Sequence, residues 1–120
     1  MPITFEVDHE HHLVRTVATG PITYAEVERH LFQEHEARAL GFPELIDAHA
    51  AIPKLSAADV RQIVGLLRGL SRNATLGRTA IIVPSEFAAG LMLMIAMLME
   101  DIFPLRTFRD TASAEAWLAS

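Results

Sequence analysis

The sequence predicts one α/β domain spanning residues 1–120: a mainly parallel five-stranded sheet with helices packed on it, in the order β-β-α-β-α-β-α-β-α. Three observations lead there. After an initial strand pair, strand-like and helix-like segments alternate, which is the layout that winds a parallel sheet. Two segments carry the Ser/Thr-x-x-acid signature of a helix start, Thr23/Glu26 and Ser56/Asp59. Thr79 to Val83 is apolar without alternation, as a strand covered on both faces requires.

Each element follows from a local pattern. Ile3, Phe5 and Val7 alternate with Thr4 and Glu6, which is a half-buried strand. The polar run Asp8-His9-Glu10-His11 suits a hairpin turn, and Leu13 to Thr19 reads as the returning strand. Gly20-Pro21 is expected to end it. The first helix opens with a Thr23/Glu26 capping box and an Ile22/Val27 hydrophobic staple, and is expected to run to about Leu40-Gly41. Leu45 to Asp47 reads as a short strand, followed by a connection from Ala48 to Leu55.

The second helix repeats the device with Ser56, Asp59 and a Leu55/Val60 staple. Its apolar face is Val60, Ile63, Val64, Leu67 and Leu70, and Arg61, Arg68 and Arg72 fall on another. After a turn at Asn73 to Gly77 comes the fourth strand, then Pro84-Ser85-Glu86 opens a helix apolar all round. Pro104 stops that helix, Leu105 to Phe108 is the last strand, and Asp110 or Thr111 caps a short helix bearing Trp117 and Leu118.

Composition excludes several function classes. Net charge is −5, with a single lysine, Lys54, so neither a nucleic-acid face nor a polybasic membrane patch is expected. The absence of cysteine excludes disulfides, thiolate metal sites and a cysteine nucleophile. Phe87 to Met99 is free of charge but holds 13 residues, short of the roughly 20 that cross a bilayer, so membrane insertion is not expected. The N-terminus turns charged within six residues, unlike a signal peptide, and the expected location is cytoplasmic.

The element order and several phrases resemble the STAS (SpoIIAA-like) family over nearly the whole chain. Those phrases are PITYAEV, ELIDAH, RTAIIVPSEFAAG and FRDTASAEAWL, the last resembling the close of a bacterial STAS-like subgroup without established activity. In switched members of the family a phosphorylatable serine follows the aspartate that ends the third strand. Here Asp47 is followed by Ala48 and His49, so the resemblance implies the fold without that phospho-switch.

Candidate chemistry is sparse. Ligands of parallel sheets usually bind beyond the carboxyl ends of the strands. That places Asp47, His49, Ser85 and Arg109 around an expected strand-end pocket, and Asp47, His49 and Ser85 could serve as orienting acid, base and nucleophile. Ser85 lacks a G-x-S-x-G elbow and also reads as a plain helix cap. His9 and His11 could chelate a metal from one side of a strand, against the simpler reading of a solvated turn. His30 stands four residues from both Glu26 and Glu34, an acid–histidine ladder expected on the helix surface, with His35 at the edge of the buried stripe.

A helix apolar on every side must be covered on every side. Phe87, Leu91, Met92, Met94, Ile95, Met97 and Leu98 are therefore the expected interface, with a second copy of the chain as the first partner and another protein as the next. The leading expectation is a non-catalytic binding or regulatory module acting through protein contacts, with no cofactor. The second is a small carrier of a lipid-like or other apolar molecule, and the third a small hydrolase.

Overall fold

The computed structural model describes residues 2–120. The strands are β1 (Ile3–Asp8), β2 (Leu13–Ile22), β3 (Glu44–Pro53), β4 (Thr79–Ile82) and β5 (Leu105–Phe108). The helices are α1 (Tyr24–Glu36), α2 (Ala57–Ser71), α3 (Glu86–Leu98) and α4 (Thr111–Leu118). The strands lie in sequence order in one sheet. β1 is antiparallel to β2, and all later pairs are parallel. This is the expected α/β class, element order and sheet.

Four local expectations are corrected. β2 does not stop at Gly20-Pro21 but runs on to Ile22. β1 pairs with β2 only as far as Ala18, so Pro21 sits on an open edge where its missing N–H breaks no ladder bond. β3 is ten residues long, not a short strand ending at Asp47. Val17 pairs with Asp47 and Thr19 with Ala50, so Ala48 and His49 together oppose Ala18 in a bulge, and β3 continues past it to Pro53.

α1 ends at Glu36, and Arg38 then takes a left-handed φ of 57°, which turns the chain back before Ala39 and Leu40 enter the core. The Thr23 side chain makes no cap bond, and Glu26 pairs with Arg29 instead. The Ser56/Asp59 box does form, with Asp59 N–H donating to Ser56 Oγ at 3.1 Å and Ser56 N–H donating to Asp59 Oδ2 at 2.8 Å.

Helices cover both faces of the sheet. On one face, Leu45, Ala80 and Ile82 pack with Ala114 of α4. On the other, α1 lies over β1 and α3 over β5, while α2 packs between α1 and α3 and stands off the strands. Val60, Ile63 and Leu67 of α2 join Leu40, Leu76, Ile95, Met99 and Phe103 in the largest buried cluster. The sheet below α2 carries small side chains, Thr16 and Ala18 of β2 and Ala48 and Ala51 of β3. A raised helix over a floor of small residues leaves space between them.

Candidate functional site

That space is a cavity of about 200 Å³ between the sheet and the α1–α2–α3 layer. Its walls are almost wholly apolar: Ile3, Ala18, Ile46 and Ala48 from the sheet, Ile63 and Leu67 from α2, and Met92 and Ile95 from α3. One corner is polar and is lined by Thr16, His30, Glu34 and Glu44.

The polar corner is a connected group with almost no exposure. His30 and Glu34 lie one turn apart on α1, and Glu44 enters from the first residue of β3. The side chains of His30, Glu34 and Glu44 are 7 %, 3 % and 9 % exposed. His30 Nε2 lies 2.9 Å from Glu44 Oε2, and Thr16 Oγ1 donates to the same oxygen at 2.6 Å. Glu34 Oε1 approaches Nε2 to 2.6 Å, yet lies off the hydrogen-bonding direction and accepts no bond. His30 Nδ1 is also buried without a partner.

Burial and charge compete here. Loss of water disfavours the charged imidazole, but the close carboxylates of Glu34 and Glu44, the latter hydrogen-bonded to the ring, outweigh it and push His30 up to about 10. Burial, reinforced by the charge of Glu44, pushes Glu34 up to about 7 against the pull of His30. The corner therefore holds two carboxylates and one imidazole whose protons are shared among them.

The expected surface ladder is thus corrected. His30 and Glu34 face the interior, because they share the helix face of Val27 and Leu31, while His35 is exposed. The readable signal was that shared face. Glu44 carried no local signal, because its partners come from two other elements.

The strand-end residues gather less closely. Asp47 pairs with Ile82, and Ile82 with Phe108, so Asp47, Ser85 and Arg109 lie toward the same end of the sheet. His49 Nδ1 lies 2.6 Å from Asp47 Oδ1 on the bulge. Burial alone would raise the Asp47 carboxyl, but hydrogen bonds from His49 hold it below the usual aspartate range. Ser85 accepts from Ala88 N–H at 3.1 Å as the cap of α3, and Arg109 reaches Glu86 and the Pro84 carbonyl. Among the described residues no hydrogen bond joins Ser85 or Arg109 to the Asp47–His49 pair, and none of the four lines the cavity.

His9 and His11 lie in the β1–β2 turn and are engaged separately. His9 packs edge-on against Phe42, and His11 bonds to Asp8 at 2.8 Å. On α3, Leu91, Met92 and Ile95 turn inward, whereas Phe87, Leu93, Met94, Met97 and Leu98 are exposed. Arg68 of the arginine stripe reaches across to Asp101 and the Leu98 carbonyl, placing a cation at the C-terminus of α3. Among the described residues no helix is long and apolar enough to cross a membrane.

No family model matches the chain, and no curated protein matches it. Among solved structures, it is similar to an uncharacterised DUF3478-family protein with a SpoIIAA-like fold from Shewanella loihica PV-4. The TM-score is 0.62 at 20 % identity, over 97 % of this chain and 91 % of the other. With the sheet order and helix placement described above, this gives the chain a SpoIIAA-like fold.

Proposed function

We propose that the chain is a binding module that holds one compact, largely apolar molecule between the sheet and α2. The observation that carries this reading is the cavity over the Thr16–Ala18–Ala48–Ala51 floor. An apolar cavity of about 150 Å³ already admits benzene. Pockets for drug-sized ligands run to roughly 300–1,000 Å³, so a space of about 200 Å³ favours a small ring or short chain over a long acyl tail. The test is thermal unfolding with and without toluene. The expected result is a raised Tm in the wild type and none in Ala48→Leu, whose added methylenes occupy the space. Equal response of both proteins, or of neither, removes this reading.

A second reading concerns α3. Phe87, Met94, Met97 and Leu98 present exposed apolar surface along one side of the helix, which supports a homodimer with α3 as its contact. Native mass spectrometry of the freshly purified protein reads both proposals together, since it reports subunit number and any bound mass.

A further inference from the structure

The polar corner of the cavity holds a donor set that its own hydrogen bonds do not use up. His30 and Glu34, four residues apart on α1, project the same way, and Glu44 meets them from β3. A helical i,i+4 pair completed by a carboxylate from another element is a common way of presenting ligands to a divalent ion. The three ligand atoms lie within 4.8 Å of one another. Glu34 supplies a second sign, because its side chain is 3 % exposed, lines the cavity and leaves Oε1 without a hydrogen bond.

Charge balance points the same way. Two carboxylates withdrawn from water face one imidazole, which can supply at most one positive charge. A divalent cation compensates both carboxylates at once. Metal–ligand distances of about 2.0–2.2 Å set neighbouring donors roughly 3–3.5 Å apart. The separations of 2.6 and 2.9 Å found here are shorter, so the side chains must move apart by less than about an ångström to admit the ion. One nitrogen and two oxygens suit zinc, cobalt or manganese better than calcium or magnesium, which favour all-oxygen shells.

We propose that His30 Nε2, Glu34 Oε1 and Glu44 Oε2 form a site for one divalent transition-metal ion, with the remaining coordination positions open to the cavity. Thr16 is a positioning residue, since its hydroxyl fixes the Glu44 carboxylate. The site shares the cavity of the binding reading above but does not depend on its apolar guest.

The test is titration of chelator-treated protein with Co²⁺, read by visible d–d absorption and by Tm. The expected result is one Co²⁺ per chain, displaced by Zn²⁺, with a raised Tm. Glu34→Gln keeps the shape of the side chain and is expected to lose both signals, with Glu44→Gln as the second variant should the first not fold. Thr16→Val is expected to weaken binding by about 10–100-fold. A chain carrying His9→Ala, His11→Ala and His12→Ala is expected to keep both signals. The proposal is overturned if folded wild type shows no Co²⁺ band, or if the band survives Glu34→Gln and vanishes with the turn histidines. Co²⁺ binding without any response to toluene would remove the apolar-guest reading and leave the metal site standing.

Discussion

Thr16 and Glu44 stand 28 residues apart in sequence, yet the Thr16 hydroxyl donates to Glu44 Oε2 at 2.6 Å inside the domain. Val14 of β2 pairs with Glu44, and Thr16 with Ile46, so the carboxylate must lean along the sheet toward Thr16. This bond ties the first turn of β3 to the middle of β2 and holds an acid where α1 can reach it.

Thr16→Val tests that tie. The shapes are close, but Glu44 loses a donor it cannot replace from water. Unfolding stability is expected to fall by about 1–3 kcal/mol in metal-free protein, measured by urea denaturation. A change near zero would mean that Glu44 is held by His30 alone.

Ala48→Leu should act in the opposite direction. Its added atoms enter existing space instead of displacing packed neighbours. Stability is expected to rise by about 0.5–2 kcal/mol, as for other cavity-filling changes. A loss would show that the floor around the bulge cannot accept the side chain.

Met97→Glu and Met94→Glu separate association from folding. Met97 is 65 % exposed and Met94 47 %, so neither change empties the core. Size-exclusion chromatography with light scattering is expected to show a dimer for the wild type and soluble monomer for each variant. Thermal unfolding at high dilution should be almost unchanged.

Gly77→Ala should be costly through the backbone, at a position that borders the cavity. A Cβ at residue 77 would run into the Phe42 carbonyl group. Because that obstacle is backbone and not a movable side-chain tip, the turn before β4 must shift. The expected loss is about 1–3 kcal/mol in urea denaturation.

The Asp47–His49 pair gives a pH signature. The folded Asp47 carboxyl titrates below its unfolded value. Its stabilising contribution is therefore present above the ordinary aspartate range and is lost as pH falls through the lowered value. Carboxyl NMR titration is expected to show a low Asp47 midpoint that moves up in His49→Ala.

The sequence disclosed the elements better than their lengths. The Ser56/Asp59 box and the unalternating Thr79–Val83 run marked α2 and β4 because those signals are local. The extent of β3 was hidden because its bulge at Ala48-His49 depends on pairing with β2, which lies far away in sequence. Ser85 read correctly as a cap because a cap needs only the next turn of its own helix. The buried corner was half legible. His30 and Glu34 shared a face with Val27 and Leu31, but only the long-range arrival of Glu44 distinguishes that face from a surface ladder.

The way α2 is held has a kinetic consequence. The inner strands β2, β3 and β4 are fixed by ladders on both sides, whereas α2 is gripped along its flanks by α1 and α3 and has open space beneath it. Segments with few contacts below them open at lower free energy than the ladders they cover. Backbone amides of Val60 to Leu70 should therefore exchange with deuterium ahead of those in β2, β3 and β4. An occupant of the space beneath α2 should slow that exchange.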